Sequence, residues 1–371
     1  MLNLTRLFRN STDDCYLRNL ELAENQKDTL STARKLIRET LRVELPKTLK
    51  EIVGQDFKSP RFFTQGSWAY KTLNAPAQHP QQADLDDGCY LPLSYIQEIE
   101  KPSEATTIFF EAVEKVLQPL ADQNGWKLIG KPTCTRIEIS RSSHIDIPLY
   151  AIPDIEFEKL TKAATALDFS EAVTAQYDSW DELPTTKVLL AHREEDWIDS
   201  DPRPVKEWFN DQCRLKTEQL RYVVRYIKGF RDQIWITGGP SSILLMAAVA
   251  PIFKANERRD DLALLDVLRS LPSELRKGVY NPANPTEKLS DRLSADELEK
   301  VALTFEGLTR RLAAALAAND PQTACNWLCH DFGDRLPNRP DLVTVTTPTE
   351  TVKEVPPVIT ATPLVGRTEA G

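Results

Sequence analysis

Two short stretches decide the fold of this chain: residues 64–70 read TQGSWAY and residues 84–88 read DLDDG. The Gly-Ser turn of the first stretch can present backbone N–H groups to a phosphate. In the second stretch, Asp84 and Asp86 stand two residues apart, so on a strand both side chains would project to the same face. A third carboxylate, Asp146, lies in another alternating run that is rich in β-branched residues.

Three carboxylates beside a phosphate-binding turn predict a two-metal site for phosphoryl transfer. Two metal ions can clamp the attacking and leaving oxygens of an in-line displacement, and Mg²⁺ prefers oxygen ligands. Alone, DLDDG is more typical of a solvated turn, but the ordered set of Gly-Ser, Asp-Leu-Asp and a distal Asp is typical of nucleotidyltransferases. The residues assigned to catalysis and metal binding are Asp84, Asp86 and Asp146, and those assigned to phosphate oxygens are Gln65, Gly66 and Ser67.

With these motifs in order, the chain resembles the bacterial cGAS/DncV-like nucleotidyltransferases (CD-NTases). The resemblance implies an α+β fold, in which a Polβ-like core and a helical second lobe enclose an active site in the cleft between them. The matching stretches are PRFFTQGS at 60–67, TLN at 72–74, TCTRI at 133–137, HIDIPLYAIP at 144–153, SDP at 200–202, WFND at 208–211 and GGPSSI at 238–243.

The resemblance also implies an activity. An enzyme of this family joins ATP and GTP into 3′,3′-cyclic GMP-AMP by two Mg²⁺-dependent transfers, with Mn²⁺ able to substitute, and the product activates an effector during antiphage (CBASS) defence. Another cyclic di- or trinucleotide is an alternative product. A template-independent tailing polymerase is an alternative enzyme, and a conjugation tag or scaffold with a dormant site is an alternative from another class.

Further nucleotide-binding residues follow from the same resemblance. It places Arg136 at the acceptor nucleotide and Lys228 on a nucleotide phosphate, whereas the residues alone also allow a surface Arg and a Lys that snorkels at a helix rim. Tyr70 is expected either to contact the donor nucleotide or to pack its helix against the sheet. Ser200 and Ser242 match nucleotide-contacting serines, and both also suit helix N-caps.

Two positions make the acceptor site harder to predict. Thr286 precedes Glu287-Lys288, where the family has an acidic residue that contacts the acceptor base, so base choice is less certain than enzyme class. His144 alternates with Asp146 and can point the same way, but a metal that activates the hydroxyl makes a general base dispensable. We therefore interpret His144 as structural.

Four segments are expected. Residues 1–58 form a helical segment that packs across both lobes, 59–155 the nucleotidyltransferase core, and 156–335 the helical lobe, with part of the core completed by 180–195. Residues 336–371 hold six Pro and no aromatic residue, which predicts a flexible tail. In some relatives the C-terminal residue is conjugated to target proteins, which implies an E1/E2-like conjugation enzyme and a deconjugating protease as partners for Gly371.

Composition limits the remaining functions. The 371 residues carry a formal net charge of −9, which argues against a long nucleic acid as the main partner but not against nucleotides. No apolar run approaches the length of a membrane span, and the first residues lack a signal-peptide core. We therefore expect a cytoplasmic enzyme without membrane insertion.

Overall fold

The computed structural model describes residues 1–11, 14–94, 102–155, 157–158, 188–194 and 196–345. The strands are β1 (Leu2–Asn3), β2 (Arg61–Gln65), β3 (Ala83–Pro92), β4 (Lys127–Gly130), β5 (Cys134–Ser140), β6 (Ser143–Ile152), β7 (Leu189–His192), β8 (Asp196–Asp199), β9 (Tyr280–Asn281), β10 (Asn284–Lys288) and β11 (Thr344–Val345). The helices are α1 (Thr5–Phe8), α2 (Tyr16–Asn19), α3 (Glu24–Val53), α4 (Gly66–Ala69), α5 (Pro102–Asn124), α6 (Arg203–Lys216), α7 (Gln219–Ile234), α8 (Ser242–Ile252), α9 (Asp260–Lys277), α10 (Ala295–Leu316) and α11 (Pro321–Phe332). Within these ranges, no helix combines the length and apolar character that a membrane span requires.

A seven-stranded sheet forms the first lobe. Its strands run in the order β2-β3-β6-β5-β4, and β7 and β8 extend it from β6. The central pair, β3 and β6, is parallel, while the other pairs are antiparallel. All ten residues of β6 are buried, as expected for a strand that has neighbours on both sides and is covered on both faces.

Helices α3 and α5 cover one face of this sheet. Helix α3 buries a stripe of apolar side chains at spacings of three and four residues, which keeps them on one side of the helix. Pro46 does not end this helix, which continues to Val53 and stops at Gly54 in the left-handed conformation. The stripe consists of Leu30, Ala33, Ile37, Leu41, Leu45 and Leu49, and all six join the core beneath the sheet.

Residues 1–11 and 14–20 pack on the helical lobe instead. Leu4 and Phe8 are fully buried in its core. The carboxylate of Asp261, at the start of α9, accepts hydrogen bonds from the Leu4 backbone N–H at 2.8 Å and from the Thr5 hydroxyl at 2.7 Å. Strand β1 then pairs with β11, so the start of the chain lies beside residues 344–345.

The predicted start of the tail at residue 336 is wrong. Leu336 and Leu342 are buried in the core of the helical lobe, and β11 pairs with β1. The segment folds because these apolar side chains fit against α11 and the N-terminal segment, contacts that its Pro- and Thr-rich composition does not reveal. Residues 346–371, including Gly371, lie outside the described residues, and conjugation there stays a prediction.

A buried ion pair ties α3 to β3, the strand that carries the predicted catalytic carboxylates Asp84 and Asp86. Arg38 donates from Nε and Nη2 to the two carboxylate oxygens of Asp87, each at 2.6 Å. The Thr64 hydroxyl accepts from Arg38 Nη2 at 3.0 Å and donates to Asp87 at 2.9 Å. The side chains of Arg38 and Asp87 are 10% and 1% exposed. Breaking such a pair leaves one charge buried without compensation.

We predict that Asp87→Asn lowers the free energy of unfolding by roughly 3–5 kcal/mol, because Arg38 stays buried while its partner loses its charge. Urea unfolding followed by circular dichroism measures this change. Lys47→Ala is the matched control on the same helix, since Lys47 and Glu44 form an exposed pair that contributes little. Equal stability of Asp87→Asn and the control would contradict the assigned role.

Candidate active site

The strand register brings one residue from each of four strands into a single row. Gln65 of β2 lies opposite Asp86 of β3, Asp86 lies beside Asp146 of β6, and Asp146 lies opposite Arg136 of β5. Two residues earlier, Asp84 lies beside His144. Because side chains two residues apart on a strand share a face, all three predicted carboxylates project from one side of the sheet.

Gly66 fits the space that Asp86 leaves. Its φ is +65°, a conformation that L side chains rarely adopt, and a Cβ at this position would overlap the Asp86 carboxylate. The one-turn helix α4 therefore begins directly against the second carboxylate of DLDDG. The Gly-Ser turn and the Asp-Leu-Asp strand are thus two sides of one contact.

Asp84, His144 and Asp146 each offer a ligand atom, and these atoms lie within 4.8 Å of one another. His144 Nε2 is 3.0 Å from Asp84 Oδ1, yet the geometry is not that of a hydrogen bond. Both atoms are buried and have no hydrogen-bond partner among the described residues. Buried polar atoms without partners are rare and call for an explanation such as a bound ion. Carboxylate oxygens suit hard cations such as Mg²⁺ and an imidazole nitrogen suits transition-metal ions, so this donor set fits a divalent cation.

The negative charge of this cluster affects the pKa of Asp86. Burial, followed by the neighbouring Asp84 and Asp146 carboxylates, raises the pKa of Asp86 well above its usual value, and Arg136 opposes this shift. Carboxylates packed this closely disfavour one another's ionised form. A cation that stabilises all three as anions therefore complements the site.

Arg136 provides part of that positive charge. Its Nε and Nη2 donate to the two oxygens of Asp146 at 2.7 and 2.8 Å, a bidentate arrangement. The resemblance placed Arg136 at the acceptor nucleotide, whereas here its guanidinium lies on the third carboxylate. Register explains the contact, because the two residues are directly opposed on β5 and β6.

Lys228 of α7 meets the phosphate turn from the helical lobe. Its Nζ donates to Ser67 Oγ at 2.9 Å and to the Thr72 carbonyl at 2.7 Å. The residue is only 3% exposed, and burial, reinforced by Arg231, lowers the pKa of its ammonium group to about 7. A phosphate at Ser67 would restore the charged form.

A cavity of about 270 Å³ opens in front of this pair. Ser67, Asp84, Lys228 and Ser242 all line it, so residues from both lobes meet there. Ser242 is the first residue of α8, while the cap is formed by Ser241, whose hydroxyl accepts from the Leu244 backbone N–H.

Sequence reasoning missed two contributors to the site. Arg231, one helical turn after Lys228, lines the cavity and donates to Ser242 Oγ at 3.4 Å. Its spacing of three residues from Lys228 was the available signal. For His144 the signal was its alternation with Asp146, which the structural interpretation set aside. His144 does keep a structural contact, since its Nδ1 lies 2.9 Å from Gln82 Oε1.

Four other predicted nucleotide-binding residues are not among the described residues that line this cavity. Tyr70 is 8% exposed and packs edge-on against Phe209, which favours the packing alternative for this residue. Gln65 turns inward and donates to the Tyr150 hydroxyl at 2.9 Å. Thr286 is exposed on β10 and bonds to Asn284, and neither it nor Ser200 is among the described residues that line the cavity.

Two family models match the chain, and they correspond to the two lobes. Residues 60–150 match the nucleotidyltransferase domain described as cyclic GMP-AMP synthase DncV-like, and residues 217–345 match the cyclic GMP-AMP synthase C-terminal domain. The cyclic GMP-AMP synthase of Vibrio cholerae serotype O1 is 36% identical over 302 residues, which cover 76% of this chain and 68% of the relative. That of Escherichia coli strain TW11681 is 36% identical over 297 residues, covering 75% and 68%.

Solved structures agree with this relationship. V. cholerae DncV in complex with the linear intermediate 5′-pppA(3′,5′)pG matches with a TM-score of 0.77 and 29% identity over 93% of this chain and 99% of the other. A mutant DncV in complex with ATP, GTP and 5MTHFGLU2 matches with a TM-score of 0.78 and 29% identity over 93% and 100%. The predicted bilobed Polβ-like fold and the nucleotidyltransferase class are confirmed. The chain therefore belongs to the DncV-like family of cyclic GMP-AMP synthase nucleotidyltransferases.

Proposed function

We propose that this protein joins ATP and GTP into 3′,3′-cyclic GMP-AMP through two successive Mg²⁺-dependent transfers. The observation that carries the proposal is the junction of Ser67 and Lys228 with Asp84 in one cavity, with Asp86 and Asp146 beside it in the sheet. Relatives that are 36% identical are cyclic GMP-AMP synthases, which supports ATP and GTP as the substrates.

The chain's own residues bind and orient the substrates. The Ser67 hydroxyl and the Lys228 ammonium lie 2.9 Å apart, so both can contact the same phosphate group of the donor triphosphate. Asp84, Asp86 and Asp146 would hold Mg²⁺, with His144 beside them. When bound, Mg²⁺ would lower the pKa of the attacking hydroxyl and neutralise charge on the departing pyrophosphate. In each transfer a 3′-hydroxyl loses its proton to solvent and its oxygen bonds to the α-phosphorus. The bond from the α-phosphorus to the bridging oxygen of the β-phosphate breaks, and pyrophosphate leaves.

The proposal extends to the biological role of the product. As a second messenger, the cyclic dinucleotide would activate a cell-killing effector in antiphage defence. Another cyclic di- or trinucleotide is the alternative product, because the exposed Thr286 gives no structural support to acceptor-base selection from that position.

The first test incubates the full chain with all four NTPs and Mg²⁺, followed by phosphatase and mass spectrometry. We expect a phosphatase-resistant species with the mass of cyclic GMP-AMP. Asp84→Ala and Asp86→Ala should each reduce it by roughly 10²–10³-fold, since each removes a carboxylate that would hold the metal ion at the reacting phosphate. Asp122→Ala, an exposed carboxylate on α5, is the control. A different cyclic mass would refute the product but keep the class, and undiminished product in the Asp84 variant would refute the site.

The lowered pKa of Lys228 predicts how nucleotide binding depends on pH. Its pKa of about 7 in the free protein means that the group is mostly neutral at higher pH, and a triphosphate must then bind together with a proton. We expect the affinity for a nonhydrolysable ATP analogue to fall from about pH 7.5 to about pH 9.5, a range in which the terminal phosphate is already fully ionised. Lys228→Met should bind more weakly and show a flatter profile in calorimetric titrations. Parallel profiles for the two proteins would contradict this assignment.

The contact between Arg136 and Asp146 predicts that Arg136 competes with a metal ion for this carboxylate. Its guanidinium occupies both oxygens of the carboxylate, so a cation must share or displace it. We expect Arg136→Gln to bind Mn²⁺ roughly tenfold more tightly without nucleotide, because a neighbouring positive charge is removed. Electron paramagnetic resonance of free Mn²⁺ measures this affinity independently of turnover. Arg141→Gln, on the exposed turn between β5 and β6, is the control, and unchanged affinity in Arg136→Gln would exclude competition.

A further inference from the structure

A second cavity lies behind the phosphate turn. Its volume is about 300 Å³, and Leu73 lines both this cavity and the substrate cavity. Ser67 faces the first cavity, whereas Trp68 and Lys71 face the second, so residues 67–73 form the wall between them. The lining is completed by Glu21 and Leu22, which precede α3, by Lys27 of α3 and by Arg225 of α7.

Arg225 is a buried cation with few partners. Its side chain is 9% exposed, and its Nε donates to Asn74 Oδ1 at 3.1 Å. The nearest carboxylate is that of Glu21, 3.5 Å from Nη1, and Glu21 is itself half-exposed and shared with Lys27 at 3.6 Å. Nη2 has no hydrogen-bond partner within the part of the chain that the structure describes. Burial lowers the pKa of Arg225, and the half-exposed Glu21 carboxylate offsets only part of this shift.

The lining is positively charged in an otherwise acidic protein. Lys27, Lys71 and Arg225 line the cavity together with one carboxylate, that of Glu21, and Lys27 also pairs at 3.3 Å with Glu24, which is not part of the lining. The whole chain carries a net charge of −9. Buried arginine with free N–H groups and nearby lysines is the chemistry that recognises phosphate. The half-buried Trp68 adds a planar wall on which a ring can stack. The volume is at the lower end of small-molecule sites.

The wall between the cavities is mechanically linked to the substrate side. Lys71 has a φ of +57°, which is uncommon for a residue with a side chain. The next residue, Thr72, donates from its backbone N–H to the Ser67 carbonyl at 2.9 Å and accepts from Lys228 Nζ at 2.7 Å. Arg221 of α7 donates to the Tyr70 carbonyl. A ligand that moves Lys71 would therefore move the groups that hold Ser67 and Lys228.

We propose that this cavity binds a small phosphate-bearing molecule with a planar ring, of mononucleotide size, and that its occupancy changes nucleotide affinity in the substrate cavity. The site is separate from the reaction, and the proposal holds whichever cyclic product the enzyme makes.

The test is calorimetric titration of 5′-GMP into the full chain in EDTA, so that no divalent ion supports binding in the substrate cavity. The test variant combines Lys27→Ala with Lys71→Asn, since Asn tolerates positive φ. Lys47→Ala with Lys50→Ala is the matched control, because both lysines are exposed on α3. We expect one GMP site, weakened roughly tenfold or more in the test variant through loss of charge-assisted contacts and unchanged in the control and in Ser67→Ala.

Further ligands separate the chemistries. Guanosine and inorganic phosphate should each bind more weakly than GMP. Pyridoxal phosphate tests whether the cavity accepts a ring other than a nucleobase, and its binding would support a site for ring-bearing phosphates in general. Absence of binding by every probe, equal binding by the test variant, or loss of binding in Ser67→Ala would overturn the proposed site. If inorganic phosphate bound as tightly as GMP, the proposed recognition of a planar ring would be refuted.

Coupling is read from the affinity of a nonhydrolysable ATP analogue with Mg²⁺, with and without saturating GMP. We expect a change of roughly fivefold or more in the wild type, the lower end of ordinary coupling energies, and none in the Lys27→Ala and Lys71→Asn double variant. An unchanged wild type would overturn the coupling. Neither measurement uses turnover, so failure of the proposed product and failure of this site are distinguishable.

Discussion

The close approach of Gly66 to Asp86 is the constraint on which the site depends. A side chain at residue 66 would overlap the carboxylate, and the backbone there is already left-handed. The phosphate turn can therefore lie against the strand only where its first residue is glycine. The next residue, Ser67, then reaches Lys228 of the helical lobe. One glycine thus sets the distance between the carboxylates, the phosphate turn and the second lobe.

Burial makes this arrangement electrostatically expensive. Burial and the neighbouring Asp84 and Asp146 raise the pKa of Asp86. On the opposite side of the cleft, burial lowers the pKa of Lys228. In both groups the charged form is disfavoured until a ligand supplies the missing counter-charge. Perturbed groups of opposite sign around one cavity are typical of functional sites. The Arg38 and Asp87 pair keeps the strand in place on its other face.

Local patterns predicted the carboxylates and the phosphate turn, because alternation and a Gly-Ser turn are short-range properties. They did not predict that Arg136 lies on Asp146, since that contact depends on how β5 and β6 are paired. His144 could be placed on the same face as Asp146, but its proximity to Asp84 requires the parallel register of β3 and β6. The start of the tail was mispredicted for a similar reason. Leu336 and Leu342 are isolated apolar residues in the sequence, and their burial depends on partners that are distant along the chain.

The N-terminal strand has a consequence for the order in which the chain folds. Leu4 bonds to Asp261, 257 residues away, and Leu2 pairs with Val345 near the other end of the folded body. During synthesis these first residues emerge long before their partners exist. Contacts of such large sequence separation carry a high loop-closure cost and form late. Residues 2–5 are therefore expected to reach their native positions after the segments that they contact, and their docking closes the helical lobe.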